Sequence, residues 1–408
     1  MQLCRVFTYI YFCVWIVLAV FSYIYNSNFI YEPLLAFLTG TALYYSYVAV
    51  TNYKLPVYFK GLFLFVAILT LYGVFLAVAG DDIYWQATGR VLRKYLYVLW
   101  LLSAMLSVVP VYIYTSRGLI DEREMKILFL IFFICGINSY YGGLEQQMAY
   151  AVLMQEEETE EFTVTSVYQL LSLLPLIILF KKKQLLQFVF LGIIFIFLVL
   201  SAKRGAILLG GAVAALFILS MFVNSSLGKK IAIFFVSIAL MIGIYLFINY
   251  QMESSPYFAS KVQRTFEGYA SGRDEYARHI LEYYFNKSTI FQMLFGIGAQ
   301  GTLIANESFA HNDWLAILLE QGILGICLYI LYWIGFVVTW LKSRANFDAF
   351  VVIGLLLLIG FGKSVFSMYY LPISPEMMTS SCFFAVALGF YLAKAFPQEE
   401  VESFDEEF

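Results

Sequence analysis

The sequence predicts an all-α integral membrane protein with about 12 transmembrane helices and one long external loop that contains short helices. Composition gives the first reason, because 62% of the 408 residues are hydrophobic and only 13% are charged. The mean hydropathy of +0.80 is far above the values of soluble globular domains. The second reason is that apolar runs of about 20 residues recur along the chain. Lipid cannot satisfy backbone N–H and C=O groups, so each such run is expected to be a helix.

The apolar runs divide the chain into four parts. The expected spans, with approximate ends, are residues 5–25, 33–50, 61–79, 95–114, 126–140, 162–180, 184–201, 205–223, 230–249, 312–341, 347–366 and 377–395. Residues 1–249 hold the earlier spans, 250–311 form the external loop, 312–395 hold the later spans, and 396–408 are an acidic tail. Within the loop, "EYARHILEYYFN" has apolar residues near helical spacing. This spacing predicts a short amphipathic helix along the membrane surface.

The distribution of Lys and Arg predicts the orientation. With the N-terminus in the cytoplasm, the inner connections carry Lys54, Lys60, Arg117, Arg123, Lys126, Lys181, Lys182, Lys183, Lys229, Lys230, Lys342 and Arg344. Cytoplasmic connections are typically enriched in these residues, whereas Asp and Glu contribute little. Both termini are therefore expected in the cytoplasm, and residues 250–311 outside.

Several classes of function are disfavoured. The five cysteines form no C-x-x-C pair, and no histidine cluster or acidic pair has the spacing of metal ligands, so no metal site is expected. The basic residues are scattered, which argues against nucleic-acid binding. "GIGAQG" at 296–301 matches G-x-G-x-x-G, but it lies in a loop without the strand and helix of a dinucleotide site. Its glycines are expected to form a turn where backbone passes close to a membrane helix or a substrate.

Three external segments are basic against the orientation rule: "GRVLRK", "SAKRG" and the long loop. A charge held near membrane depth is a candidate functional residue. Arg204 is the strongest candidate, because almost no polar sequence surrounds it and it must lie in a tight turn between two spans. For Lys261 and Lys287 the simpler interpretation is a solvated loop surface.

His311 stands at the mouth of a span, and the chain has only two histidines. Asn312 or Asp313 can cap the following helix and are expected to play supporting roles. Capping does not require a histidine, whereas a neutral imidazole commonly removes a proton from a hydroxyl group. A hydrogen-bonded structural histidine is the alternative. His279, on the predicted surface helix, is expected to be an ordinary interfacial side chain.

These residues together suggest group transfer from a diphosphate. Guanidinium groups such as those of Arg204, Arg273 and Arg278 can clamp phosphate oxygens, and His311 can act as the base. Nucleotide sugars are absent outside the cytoplasm, so the donor is expected to be a lipid-linked diphosphate. The arginines would stabilise the charge on the departing lipid diphosphate.

Four stretches carry a resemblance to a known family: "SAKRGAILLG", "SGRDEYARHILEYY", "LFGIGAQGTL" and "HNDWLAILLEQGILG". In this order they resemble the O-antigen ligase and O-antigen polymerase superfamily of bacterial envelope proteins, over about residues 195 to 330. The ligase branch is associated with His-Asn, nine residues, Gly, two residues and Gly. His311, Asn312, Gly322 and Gly325 fit that pattern. Some polymerases carry a similar stretch.

The resemblance implies a metal-independent, inverting glycosyltransferase of the bacterial inner membrane, without a cofactor, whose donor is an undecaprenyl-diphosphate-linked glycan. His311 corresponds to the base, Arg204 to the arginine of the outer turn, and Arg273, with Arg278 as its competitor, to the arginine of the loop. Arg264 is a further candidate phosphate contact that matches no motif. The active site would face the periplasm.

Two acceptors fit this chemistry, and a third class of function remains. An O-antigen, capsular or exopolysaccharide polymerase would use a second lipid-linked repeat unit and could work with a chain-length regulator. A ligase would use lipid A–core. The third class is a flippase or other transporter, whose charged residues should line a cavity between helices. The polymerase is preferred, because such proteins are common in polysaccharide biosynthesis.

Overall fold

The computed structural model describes residues 2–20, 28–80, 83–85, 90–153, 164–223, 225–254, 258–259, 263, 273–306, 309–371 and 375–398. Up to the external loop, the helices are α1 (Gln2–Val20), α2 (Asn28–Asn52), α3 (Val57–Ala79), α4 (Lys94–Met105), α5 (Val108–Ser116), α6 (Glu122–Leu153), α7 (Val167–Leu173), α8 (Gln184–Leu200), α9 (Arg204–Val223) and α10 (Leu227–Ser254). A 3₁₀ helix, Leu174–Phe180, continues α7.

The rest of the described chain is also helical. Its helices are α11 (Arg273–Asn286), α12 (Ile290–Phe295), α13 (Gly301–Asn306), α14 (Asp313–Lys342), α15 (Phe347–Phe366) and α16 (Pro375–Ala395), with a 3₁₀ turn at Ser343–Ala345. The sequence did not predict a short antiparallel hairpin between α3 and α4. Its strands, β1 (Ile83–Trp85) and β2 (Arg90–Leu92), pair Tyr84 with Val91.

Within the described residues, nine helical segments are long and apolar enough to cross a membrane: Ile30–Asn52, Val57–Ala79, Lys94–Ser116, Glu122–Glu145, Arg204–Val223, Leu227–Ser254, Asp313–Ala345, Phe347–Phe366 and Met377–Ala395. Three shorter apolar segments, Cys4–Val20, Val167–Phe180 and Gln184–Leu200, coincide with the remaining predicted spans. The helical class is confirmed, and the apolar helices indicate a membrane protein. The full count of crossings stays a prediction.

The later helices form the centre of the packing. α14 packs along α3, and α16 packs against α5 and α7. α15 lies against α9, α14 and α16. Aromatic rings fill the space between α3 and α14, where Phe65 stacks on Tyr329 with ring centroids 4.9 Å apart. The packing of α15 against α9 and α14 brings the end of α15 next to the beginning of each of these two helices.

Helix α14 is broken about one third of the way along its length. Gly322 has φ 67° and ψ −160°, so the segment before it and the segment after it are separate helices. The backbone between α12 and α13 packs into the break, where the Ile297 N–H donates to the Leu319 carbonyl (2.9 Å) and the Gly298 N–H to the Glu320 carbonyl (3.0 Å). A side chain at Gly296 would overlap the Glu320 carbonyl. The expectation that glycine here lets backbone pass close to an apolar helix is confirmed for Gly296.

The loop also contains the predicted amphipathic helix, α11. Ile280 and Tyr284 form its buried face, whereas Arg278 and Phe285 are exposed. The preceding helix, α10, continues to Ser254, four residues beyond the predicted start of the loop at 250. Most of the predicted acidic tail, residues 399–408, lies outside the described residues.

Candidate functional site

His311 lies immediately before α14 with a left-handed backbone, φ 49°. A non-glycine residue in this region is uncommon and is often found at functional sites. Burial is the first cause that lowers the imidazole pKa, and the positive charges of Lys203 and Arg273 lower it further, to about 4. The imidazole is therefore neutral at neutral pH and able to accept a proton.

Asn312 fixes the position of His311. Its side-chain oxygen caps α14 by accepting the Leu315 N–H at 3.1 Å, and its Nδ2 donates to the Val365 carbonyl at 3.1 Å. The first turn of α14 makes a second bond to α15, because Trp314 Nε1 donates to Ser364 Oγ at 3.1 Å. The capping role predicted for Asn312 is confirmed, and the cap also ties the start of α14 to the end of α15.

Asp313 is fully buried, and its carboxylate supports the chain that follows α15. It accepts the backbone N–H groups of Tyr369 (3.1 Å) and Tyr370 (3.3 Å) and the Tyr329 hydroxyl (2.9 Å). These bonds hold Tyr369 and Tyr370 against α14. Asp313 therefore attaches the chain after α15 to the start of α14, and its role in the site stays a prediction.

Arg273 is the first residue of α11, and its side chain reaches the same place. Its Nη1 donates to the Phe366 carbonyl at 2.7 Å. This bond fixes one corner of the guanidinium group, which carries five N–H donors in total. The charge of Arg273 acts on His311, so the structure brings together two residues that the sequence assigned to one site.

The turn that precedes α9 supplies the third part. Ala202 has φ 50°, and a Cβ on Gly205 would lie 3.2 Å from the Cβ of Phe366 and 3.2 Å from the Tyr168 hydroxyl. Arg204 is partly buried as the first residue of α9. Its neighbour Lys203 is the residue of this turn whose charge acts on His311. Sequence reasoning selected Arg204 and overlooked Lys203.

The other predicted arginines have different positions. The Arg278 side chain is 63% exposed, and it lies 3.7 Å from a carboxylate oxygen of Glu275 and 4.0 Å from one of Glu282 on the same helix. Of the two competitors on α11, Arg273 is therefore the residue beside His311. Arg264 lies outside the described residues, and His279 is exposed, as expected.

A second lysine near this place, Lys363, was also missed from the sequence. Lys363, buried within α15, donates to Ser380 Oγ at 3.0 Å and lies 5.4 Å from the centre of the Tyr168 ring. Lys203 lies 5.7 Å from the same ring centre. A lysine inside an apolar span was a usable signal for Lys363.

The end of α15 is the common point of this cluster. Asn312 bonds to Val365, Arg273 bonds to Phe366, and Gly205 packs on Phe366. The arrangement places a neutral imidazole next to two cationic side chains, Lys203 and Arg273. Such a group of residues can accept a proton and stabilise a nearby anion at the same time.

Comparison of the chain with known protein families found no match, and comparison with curated proteins found none.

Proposed function

We propose that this protein is a glycosyltransferase that uses an undecaprenyl-diphosphate-linked glycan as donor, on the external side of a bacterial inner membrane. The observation that carries the proposal is the position of the His311 imidazole, whose pKa is lowered by burial, beside the cations Lys203 and Arg273. The imidazole can take a proton from a hydroxyl group, and the two cations can bind a diphosphate.

In the proposed reaction, a hydroxyl oxygen of the acceptor attacks the anomeric carbon of the donor glycan. The bond between that carbon and the phosphate oxygen breaks, and undecaprenyl diphosphate leaves from the opposite face, so the configuration is inverted. His311 takes the hydroxyl proton. Lys203 and Arg273 stabilise the negative charge that develops on the leaving diphosphate. The bond from Arg273 to the Phe366 carbonyl holds the guanidinium group in place before substrate binds.

The membrane arrangement proposed for this reaction has twelve crossings, cytoplasmic termini and a periplasmic loop. The three shorter apolar helices support the additional crossings, and the basic inner connections support the orientation. A lipid-linked donor fits the location of the cluster, because His311 precedes a membrane span and Arg204 begins another.

We prefer a second lipid-linked repeat unit as the acceptor, which makes the protein a polysaccharide polymerase. Lipid A–core would make it a ligase. The two functions share the donor half of the reaction and all of the residues named above. Supplying each acceptor separately to the purified protein distinguishes them, because only the correct acceptor gives a longer glycan or a glycosylated lipid A–core.

A transporter is the second candidate, because three buried charges lie within apolar spans. Asp313, Glu320 and Lys363 are each at most 4% exposed. Buried charges between helices were the feature expected of a transporter. Asp313, however, accepts backbone and tyrosine donors, and Lys363 bonds to Ser380, so both have structural partners.

The test is turnover by the purified protein in detergent, where no membrane separates two compartments. The donor is the lipid-linked glycan extracted from the host that produces it. We expect new glycosidic product and release of undecaprenyl diphosphate without added metal or nucleotide. Donor binding without any product with either acceptor, combined with uptake of the donor in vesicles, would instead establish the transporter.

A further inference from the structure

A second buried polar cluster lies at the break in α14, away from His311 and its cations. Glu320, two residues before Gly322, is 2% exposed. The Thr302 hydroxyl donates to one oxygen of its carboxylate at 3.0 Å, and the Thr302 N–H lies 3.4 Å from the same oxygen. Gln321 Nε2 lies 3.5 Å from the other oxygen, and the Gln300 backbone N–H also faces the group. Because N–H groups can only donate, this environment suits an ionised carboxylate.

The negative charge of Glu320 has no partner of opposite sign among the described side chains. None of the ion pairs found in the described residues includes it. The helical segment that ends at Gln321 adds a partial negative charge from its C-terminal end. An ionised carboxylate buried without a counter-charge is strongly unfavourable, so this group must either take up a proton or bind a cation.

Among the described residues, three that interact with this carboxylate carry buried oxygen atoms without hydrogen-bond partners. Gln321 Oε1 and Gln300 Oε1 are buried and have no hydrogen-bond partner in the described part of the protein. The same is true of the Tyr97 hydroxyl, which interacts electrostatically with Glu320. Gln300 has the uncommon φ of 61°, so strain in the backbone accompanies the cluster. One carboxylate with amide and hydroxyl oxygens is a ligand set for a hard cation.

We propose that Glu320, Gln300 and Gln321 bind a small monovalent cation of the sodium type at the break in α14. A single carboxylate neutralises a single positive charge, and no group of three or more His, Cys, Asp or Glu side chains suited to a transition metal occurs in the described residues. Broken membrane helices provide such sites, because their ends place charge and backbone dipoles inside the protein.

The cation would connect three parts of the fold. Gln300 and Thr302 belong to the loop and α13, Glu320 belongs to α14, and Tyr97 belongs to α4. Binding there would stabilise the folded state without taking part in glycosyl transfer. The inference is therefore independent of the proposed function and can be tested without any glycan.

The experiment measures thermal unfolding of the purified protein by tryptophan fluorescence, in sodium, potassium or choline chloride at equal ionic strength. A ligand that binds only the folded state raises Tm with its concentration. We expect a saturable rise of several degrees in sodium relative to choline. Glu320→Gln should abolish the rise. Tyr97→Phe should increase the half-saturating sodium concentration several-fold, and Glu122→Gln, which changes an exposed carboxylate, should preserve the wild-type response.

Two results would overturn the proposal. One is a wild-type Tm that is the same in all three salts, which would make Glu320 a neutral, protonated acid. The other is a Glu320→Gln protein that keeps the sodium response. If that variant does not fold, the wild-type salt series and the Tyr97→Phe titration still decide the question.

Discussion

At the scale of single residues, the central feature is the environment of His311. Burial and the charges of Lys203 and Arg273 act in the same direction, because each disfavours the imidazolium form. The resulting pKa of about 4 makes His311 a weak base in the free protein. A bound diphosphate would offset the two positive charges and raise that pKa, so the imidazole would become a stronger base when the donor is present.

This environment predicts the pH dependence of the proposed reaction. The pH profile of kcat/KM reports groups of the free enzyme, and that of kcat reports groups of the enzyme–substrate complex. Since protonation of His311 abolishes the base, the acidic limb of kcat/KM should lie well below pH 6.5, the ordinary histidine value. The acidic limb of kcat should lie at a higher pH than that of kcat/KM. If the acidic limbs of kcat and kcat/KM both lay near pH 6.5, the two cations would not act electrostatically on His311.

Arg273→Lys should impair donor use. A hydrogen bond to a charged group contributes about 1.5–3 kcal/mol, which corresponds to roughly 10- to 150-fold in kcat/KM. Lysine keeps the charge but loses the planar fork that bonds Phe366. Arg278→Lys, on the exposed face of the same helix, is the matched control and should stay within about 2-fold of wild type. Equal effects of the two changes on kcat/KM would show that Arg273 is not specific to the site.

Two of the residues chosen from the sequence motifs come together in the structure. His311 and Arg273 lie in stretches that resemble a family, and their chemistry suits a base and a diphosphate ligand. Lys203 was overlooked because guanidinium groups were preferred over ammonium groups for phosphate. The direction of each side chain in "SAKRG" depends on the left-handed backbone of Ala202, which the sequence does not reveal.

At the scale of elements, the break in α14 is the place where the segment between α12 and α13 packs. Gly322 tolerates φ 67° because it lacks a Cβ, and a Cβ there would lie 2.5 Å from the backbone carbonyl carbon of Leu294. Hydropathy alone predicted one continuous span over 312–341, because the residues on both sides of the break are apolar. The motif contains Gly322, but the conformation of this glycine follows from packing against the loop.

Gly322→Ala should therefore destabilise the protein. A non-glycine residue in a strained backbone region costs about 1–3 kcal/mol, and the contact with Leu294 adds to this cost. We expect a Tm lower by several degrees and a reduced yield of folded protein. Gly211→Ala is the control, since a Cβ at Gly211, within α9, meets no atom within 4 Å. Equal Tm values for the two variants would argue against a strained break.

Most helices could be predicted, because the length of an apolar run decides whether it forms a membrane helix. Each predicted span overlaps a helix or a helical segment. The hairpin of β1 and β2 was missed, because two strands of three residues give no periodic signal. The interruption between α4 and α5, at Leu106 and Ser107, was also missed, since both residues lie inside an apolar run.

At the scale of the whole molecule, orientation is the property on which the donor argument depends. In a variant without the five native cysteines, Asn286→Cys should react with an impermeant thiol reagent on intact spheroplasts. Arg344→Cys should react only after permeabilisation, because basic inner connections keep that end of α14 in the cytoplasm. The reverse pattern of labelling would place the cluster in the cytoplasm, where nucleotide-linked donors are available.

The association of distant segments could be anticipated only in part. Sequence order and shared chemistry suggested that the outer turn, the loop and His311 act together. Their meeting point at Val365 and Phe366 was not foreseen, because these apolar residues contribute backbone carbonyls rather than reactive side chains. Glu320 and Lys363 were passed over as parts of apolar spans, although an ionisable residue inside a span is itself a signal.

The most direct test of the account is His311→Ala, assayed for glycan transfer and donor binding with the same purified protein. If His311 is the base, transfer should fall by about 10²- to 10⁴-fold. The Kd for the undecaprenyl-diphosphate glycan and the Tm should remain close to wild type, since Lys203 and Arg273 hold the diphosphate. His279→Ala, an exposed histidine on α11, should leave all three quantities unchanged. Full turnover by the His311→Ala protein would contradict the account.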